Sequence, residues 1–546
     1  MGLMLGFLLA MSVTMALIPP LMRVATRFNF LDAPGQRKVH AQPVPRVGGI
    51  AMAAGTLLAL ALSGRFAQPM PAYLVAVLVL LVFGVWDDRR QLNAGMKFLG
   101  QIIAVVLMMS WGGVEISTLT LTQRHVLPEI VSLPLTFVFL LGVTNAINLA
   151  DGLDGLAGGT TLLSLCALAL LAFTSGNPFV GAVAIIIIGA ILGFLRFNTH
   201  PARVFMGDGG SQVLGLSAGV LAVVLTQDRT APLSAALPLL LLGIPIIDTL
   251  MVMTQRIAAG RSPFQADRSH IHHRLLALGF DHHEAVMAIY LLQAGLFITA
   301  WFLRYESDLL IVATFVSVAL MTVGLLQTAA RQGWRWRAAV DNQSSAVSMP
   351  ARAVQWLRQP QRLPRWALLT IATAVAVFYI RMAWECPIPT PDVRIMASVL
   401  ALAIVVVLVL RWRSPETGLV GKATLYVAAV MAVYFDHLTD TTPASLTAGE
   451  WLIYIALGTS IVLRFRLSSD RRFRITPLDL LVIFVAVAVP NLPGSVATGA
   501  ALGESIAKLV VLLYGLETLL GATSRAWRVV AIAALGFLAA CALRGF

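Results

Sequence analysis

One feature constrains this chain above all others. Apolar stretches of roughly 17–22 residues, separated by short polar loops, recur from its beginning to its end. A helix of that length crosses the roughly 30 Å hydrocarbon core of a bilayer while bonding its own backbone N–H and C=O groups. The spacing predicts about 18 spans in 546 residues. Eleven fall between 3–22 and 308–327, and seven more between 367–384 and 527–543. The expected fold class is an all-α polytopic membrane protein, with about 11 transmembrane helices in the first half and about 7 in a C-terminal extension. A transmembrane barrel would alternate apolar and polar residues over about ten positions, which these stretches do not do. The segment from Glu115 to Pro128 breaks the pattern and could hold a re-entrant piece.

Composition agrees with that reading: 58% of residues are hydrophobic and 12% charged, where soluble domains run near 45–50% and about 25%. A soluble enzyme, a disordered scaffold and a secreted disulfide module are excluded. The net charge of +13 would suit a nucleic-acid partner, but its placement argues against one. Numbered alternately, the loops of one side carry 31 of the 39 Lys and Arg, and those of the other side carry six. The basic side is cytoplasmic by the positive-inside rule. The charge therefore reports topology and attraction to inner-membrane lipids, no nucleic acid is expected, and both termini fall outside. Met1 to Met22 lacks a basic leader and is read as a retained first span. Cys166, Cys386 and Cys541 have no metal-type spacing and are read as packing residues.

The polar clusters lie in the inside loops of the first 330 residues. The first loop holds Lys38 and His40, then Pro43, Pro45, Arg46, Gly48 and Gly49. Asp87 and Asp88 end a span, where a salt-bridged turn with Arg89 and Arg90 would be the ordinary arrangement. Asn148, Asp151 and Asp154 follow at three-residue spacing, which on a helix places them on one face. Carboxylates and amides at membrane depth are costly unless paired, metal-bound or in a polar cavity, and the glycines 152, 155, 158 and 159 allow a tight turn. A fourth loop runs from Asn198 to Gly207-Asp208-Gly209-Gly210-Ser211, a glycine-rich start to a helix whose backbone N–H groups suit phosphate. Carboxylates beside phosphate-binding backbone point to a hard divalent cation, most simply Mg²⁺, with Mn²⁺ as the substitute.

The fifth loop carries Asp267, Arg268, His270, His272, His273 and Arg274. No thiolates accompany the histidines, so a clamp for pyrophosphate or sugar fits better than zinc, with Arg268 and Arg274 able to grip phosphate in bidentate fashion. His282 and His283 are read as ordinary loop residues. No P-loop, nucleophile elbow or zinc-protease helix occurs in this region. The face as a whole suits metal-assisted phosphoryl transfer between a soluble phosphate donor and a phosphate-bearing lipid.

The order Asp87-Asp88, NAINLADGLDGLAGG, RFNTHPARVFMGDGGS and PFQADRSHIHHRLLALGF resembles the polyprenyl-phosphate N-acetylhexosamine-1-phosphate transferase family over about residues 1–330. The His270–Arg274 block resembles the branch that uses a UDP-N-acetylhexosamine, usually UDP-GlcNAc. Gly210 departs from the pattern, which more often has a small polar residue or Ala there. The resemblance implies Asp208 and Asn148 as Mg²⁺ ligands, and Asp87 and Asp88 as groups that position or deprotonate the lipid phosphate or contribute to the metal environment. Asp151 and Asp154 would order the nucleotide-sugar and metal region. His270, His272, His273, Arg274 and Arg268 would contact sugar or pyrophosphate, with Lys38, His40 and Asn198 as further substrate contacts. The implied reaction takes UDP-HexNAc and undecaprenyl phosphate to the lipid-linked diphosphate sugar and UMP, at the cytoplasmic face of a bacterial inner membrane, with a homodimer allowed. A transferase for UDP-MurNAc-pentapeptide and a non-enzymatic lipid-glycan transporter or scaffold are the alternatives.

Three segments are expected: a transferase domain at 1–330, a basic Arg/Trp-rich connector at 331–366 lying at the membrane interface, and a membrane extension of unknown role at 367–546. Within the extension, Asp436, His437, Asp440 and Glu450 are expected in a solvated outside loop.

Overall fold

The computed structural model describes residues 3–28, 30–32, 43–64, 67–90, 92–121, 123–228, 233–262, 269–335, 362–386, 388–412, 414, 418–439, 454, 457–460, 508–509, 511–516, 518–520 and 526–544. Lys38, His40 and Arg268, and most of the Arg/Trp-rich connector, lie outside the described residues. The chain divides into two compact units, Met1–Val340 with Thr476–Leu481, and Asp341–Ile475 with Val482–Phe546.

The described residues of the first unit form helices, their connecting turns and two small antiparallel strand pairs. Its helices are α1 (Leu3–Arg27), α2 (Gly48–Leu62), α3 (Met70–Arg90), α4 (Ala94–Ser110), α5 (Glu129–Leu149), α6 (Leu156–Thr174) and α7 (Pro178–Asn198). They continue with α8 (Gly207–Thr226), α9 (Pro238–Leu241), α10 (Gly243–Ala258), α11 (Ile271–Ala277), α12 (His282–Leu303) and α13 (Asp308–Arg331). The described residues of the whole chain contain ten helices long and apolar enough to cross a membrane. Eight of them lie in this unit and, with the shorter apolar α2 and α4, match ten of the eleven expected segments; the eleventh, 232–254, is broken into α9 and the 16-residue α10. This is a multi-pass α-helical membrane protein.

Local sequence explains where the helices begin. Asn93 accepts from Met96 N–H and Asn177 from Val180 N–H, each satisfying an otherwise unpaired first-turn donor. Asp281 and Glu284 form a reciprocal capping box that starts α12. Among the described residues of the Glu115–Pro128 stretch there is no helix; strands β3 (Thr118–Thr120) and β4 (Arg124–Val126) pair there as an antiparallel hairpin. Its backbone is tied down by Gln227 and Asp308, whose side chains accept from Ser117, Thr118 and Thr120 N–H. A second pair, β1 (Leu31–Asp32) with β2 (Val44–Pro45), flanks the first inside loop.

Helix α8 is the hub. Its span is buried almost along its whole length, whereas α13 is largely exposed, as suits a lipid-facing rim. Glycines let its neighbours approach to backbone distance. A Cβ on Gly84 of α3 would sit 2.1 Å from Gly209 Cα, and one on Gly49 of α2 would sit 2.4 Å from Gly210 Cα. A Cβ on Gly215 would meet Thr144 Cα of α5 at 2.7 Å. No side chain fits at such contacts without moving a helix. The ends of α2, α3 and α5 are thereby gathered round the first turn of α8.

The second unit contains α14 (Arg362–Glu385), α15 (Pro391–Arg411), α16 (Gly418–Thr439) and α17 (Trp527–Leu543). Tyr379 of α14 donates to Leu425 O of α16 at 2.9 Å, and its ring lies 6.0 Å from that of Phe537 on α17. Asp436 is not solvated: it is 2% exposed and accepts from Lys508 Nζ at 2.7 Å. A carboxylate at membrane depth needs such a counter-charge, and Lys508 supplies it from 72 residues away. The side chain of His437, and residues Asp440 and Glu450, lie outside the described residues.

Candidate active site

Asp87 and Asp88 close α3 just beyond the Gly84 contact, so the helix that touches α8 carries both carboxylates to its first turn. Their partners are not Arg89 and Arg90. Asp87 Oδ2 lies 2.5 Å from Lys97 Nζ, and its Oδ1 accepts from Leu92 N–H at 2.7 Å. Asp88 Oδ1 accepts from Asp208 N–H and from Arg46 Nη1, each at 3.3 Å. Lys97 also reaches Asp208 Oδ2, at 3.1 Å, and so bridges α3 and α8. Arg46 forms a second bridge, to Asp32, which brings the first inside loop to the same place. That loop is pinned by backbone pairing as well. Gly48 and Gly49 N–H donate to Phe205 O and Met206 O, and Phe205 N–H donates to Pro45 O.

Asn148, Asp151 and Asp154 do not share a helical face. Helix α5 stops at Leu149 and α6 starts at Leu156, with Gly155 at φ +81° in the left-handed region that favours glycine. Asn148 remains on α5 and accepts from Ser211 Oγ at 2.7 Å, while Asp151 and Asp154 occupy the turn. Burial, reinforced by the carboxylates of Asp208, Asp88 and Asp154, pushes Asp151 up to about 7. Asp154 goes the other way: burial opposes its ionisation, but hydrogen bonds from His200 and from Ala202 N–H outweigh that and hold it below the usual carboxylate range. The two acids of one turn are thus in opposite electrostatic environments.

Three histidines that the sequence does not mark as site residues gather at Asp154. His200 Nδ1 is 2.6 Å from Asp154 Oδ2, and the His200 and His282 rings stack at 4.0 Å. His282 Nε2 reaches Asp154 O at 3.4 Å. His282 and His283 are therefore not ordinary loop residues; both pack against His200. The signal is present in the HPAR sequence, where His200 sits seven residues before Gly207 of the glycine-rich turn, but it has no partner visible in the sequence. Asn198 has its amide committed to backbone: Oδ1 accepts from Gly155 N–H and Nδ2 donates to Val204 O, both at 2.9 Å. It is 2% exposed and braces the two loops together.

The histidine block is divided in its surroundings. His270 bonds through Nδ1 to Asp248 Oδ2 at 2.8 Å, and Asp248 Oδ1 accepts Ile271 N–H, so an acid on α10 fixes the start of α11. His272 is buried against Gly152: a Cβ there would lie 2.3 Å from its Nε2, which has no hydrogen-bond partner. Burial, with His273 alongside, lowers its basicity to about 3, so the ring is neutral. Its orphaned nitrogen faces the Asp151 turn. Arg274 is braced by Ser269 O and Gln255. The structure thus brings Asp87, Asp88, Asn148, Asp151 and Asp208 round the first turn of α8, places Asp154 with the His200 group, and sets His272 against Gly152 in the turn that carries Asp151.

The donor set can be tested against a divalent cation on its own chemistry. Asp87, Asp88, Asp151 and Asp208 bring four carboxylates together, and Lys97 and Arg46 are the cations that the described contacts set among them. Excess negative charge on hard oxygen donors suits Mg²⁺, and the Asn148 carbonyl oxygen adds a neutral donor of the same kind.

Comparison with known proteins matches this region. Residues 70–226, which hold Asp87 through Asp208, fit the model of glycosyl transferase family 4. A Bacillus subtilis protein named probable undecaprenyl-phosphate N-acetylglucosaminyl 1-phosphate transferase is 37% identical over 291 residues, which are 53% of this chain and 81% of that protein. A Mycolicibacterium smegmatis decaprenyl-phosphate N-acetylglucosaminephosphotransferase is 36% identical over 304 residues, 49% of this chain and 74% of the relative. An Escherichia coli K12 undecaprenyl-phosphate alpha-N-acetylglucosaminyl 1-phosphate transferase is 31% identical over 280 residues, 50% and 76% of the two chains. With the motif acids gathered round one helix start and relatives covered over most of their length, the chain belongs to the polyprenyl-phosphate N-acetylhexosamine-1-phosphate transferase family.

Proposed function

We propose that the protein transfers GlcNAc-1-phosphate from UDP-GlcNAc to undecaprenyl phosphate, in the bacterial inner membrane and at its cytoplasmic face. A phosphate oxygen of the lipid attacks the phosphorus that bears the sugar, the bond to the bridging oxygen breaks, and UMP leaves. The observation that carries this reading is the convergence of Asp87, Asp88, Asp151 and Asp208 at the glycine-lined start of α8, with relatives named for the same transfer. The cytoplasmic assignment rests on the 31 basic residues that share the side of these loops.

Mg²⁺, held by Asp208 and Asn148, would offset the charge of the donor pyrophosphate and the charge that develops on the leaving UMP. Asp88, held by Arg46, and Asp87, held by Lys97, would orient the lipid phosphate and hold or accept its proton. Such a phosphate is already largely ionised at neutral pH, so orientation and electrostatic stabilisation carry more of the rate than proton removal. His272 would present a neutral ring nitrogen to the donor as a hydrogen-bonding group, with Arg274 as the adjacent cation. Asp154 with His200 and His282 would fix the turn that carries Asp151.

The test uses purified full-length protein in detergent with undecaprenyl phosphate, Mg²⁺ and a panel of UDP-sugars, following UMP release. UMP from UDP-GlcNAc alone, lost in EDTA, is the expected result. Release from UDP-MurNAc-pentapeptide instead would reassign the donor, and no release from any donor by folded protein would favour a transporter or scaffold.

A further inference from the structure

The two cysteines of the second unit, read from sequence as separate packing residues, are neighbours. Cys386 follows the last turn of α14, and Cys541 lies in the last turn of α17, 155 residues later. Their sulfurs are 3.2 Å apart and both residues are buried. The neighbourhood is fixed by more than the thiols. Arg544, one turn beyond Cys541, donates from Nη1 to Cys386 O and from Nη2 to Trp384 O. The end of α17 is thereby latched to the end of α14, and the Tyr379–Phe537 ring contact holds the same two helices together further along.

We propose that Cys386 and Cys541 form a disulfide that staples α14 to α17. Three features of the structure and sequence meet here. The sulfurs need to close by only about 1.2 Å to reach the S–S bond length of about 2.05 Å. The backbone on both sides is already anchored by Arg544. Charge placement puts this end of both helices outside: five Arg in residues 331–361 precede α14 and Arg362 and Arg365 lie in its first turn, so its N-terminal end is inside and Cys386 emerges on the opposite face. That is the oxidising side of a bacterial inner membrane. A two-thiolate metal site is the other arrangement two close sulfurs allow, and the Arg544 guanidinium beside them disfavours a bound cation.

The chemistry balances with a dithiol oxidase as the co-reactant. One cysteine attacks the disulfide of the oxidised oxidoreductase as a thiolate and forms a mixed disulfide. The second cysteine displaces it, closing the Cys386–Cys541 bond and releasing the reduced dithiol enzyme. Two protons and two electrons leave the pair; both electrons end on the oxidoreductase. The bond closes a loop that contains α15 and α16, so it constrains most of the second unit. It makes no demand on the transfer chemistry of the first unit.

Cys166, on α6 of the first unit, serves as the internal control. Cells carrying the full-length chain are quenched with acid, and the protein is denatured and labelled with a maleimide-linked polymer. One adduct without reductant and three after reduction are expected. Cys386→Ser and Cys541→Ser should each give two adducts with or without reductant, and digestion of wild-type protein should yield the linked Cys386–Cys541 peptide. Three adducts from unreduced wild-type protein would overturn the assignment. So would one adduct accompanied by a chain-to-chain crosslink and no internal linked peptide.

Discussion

Lys97 Nζ stands 3.1 Å from Asp208 Oδ2, so the first turn of α4 places a cation on the carboxylate that opens α8. The same ammonium is 2.5 Å from Asp87 Oδ2, and Asp87 is only 4% exposed. One lysine therefore holds two acids of different helices at a fixed separation.

Replacing Lys97 with Met should leave Asp87 as a buried charge without its partner. Breaking a fully buried pair costs about 3–5 kcal/mol. Lys97 keeps 36% of its side chain in solvent, and screening reduces the cost to about 1–2 kcal/mol. The variant should fold, and its UMP release should fall about 100-fold, the range typical of a lost electrostatic group. Lys97→Arg should recover part of it. A Met variant with wild-type turnover would remove Lys97 from the site.

Asp208→Asn keeps the shape and the helix start but removes the charge. Expression and melting temperature in detergent should stay near wild type, while Mg²⁺-dependent turnover disappears. Titrating Mg²⁺ against UMP release separates the outcomes, because full activity at any Mg²⁺ concentration would exclude Asp208 as a ligand.

Gly84→Ala touches no reacting group. Its Cβ would fall 2.1 Å from Gly209 Cα, and both atoms are backbone-bound, so α3 must move off α8. Overpacking of this kind costs about 1–3 kcal/mol, and the shift carries Asp87 and Asp88 away from Asp208. Activity should drop at least about 100-fold with a melting-temperature loss of a few degrees. An alanine variant with normal kinetics would show that helix separation there does not matter.

The neutral His272 makes a pH prediction with a definite sign. Its folded-state value is about 3, below the ordinary 6.5, so between those limits the unfolded chain binds the extra proton. This group's contribution is fully present above pH 6.5 and is lost progressively as pH falls below it. The wild-type melting temperature should therefore decline between pH 7 and pH 5 more steeply than that of His272→Gln, measured in detergent. Parallel curves would mean that the ring is protonated in the folded protein.

Hydropathy made the spans legible because burying a backbone in lipid forces about twenty apolar residues into each crossing, and that demand is written locally. The motif acids were legible for a related reason: Asp87, Asp88, Asp151 and Asp208 are costly at membrane depth and stand out from their neighbours. The Glu115–Pro128 stretch reads from sequence as room for a re-entrant piece, whereas it holds a hairpin that depends on Gln227 and Asp308 from elsewhere in the chain. Asn198 was read as a substrate contact, yet its amide is committed to Gly155 and Val204.

By itself, the sequence determined that this chain is a bundle of membrane helices and which loops hold its acidic and histidine motifs, because both follow from the character of contiguous residues. Only the tertiary structure decided the partnerships. Lys97 lies between Asp87 and Asp208, Asp248 orients His270, His200 and His282 surround Asp154, and Cys386 faces Cys541. Each joins residues brought together by the register in which helices pack. That register is set by glycine contacts such as Gly84 on Gly209, between residues 125 positions apart, and no local stretch of sequence encodes it.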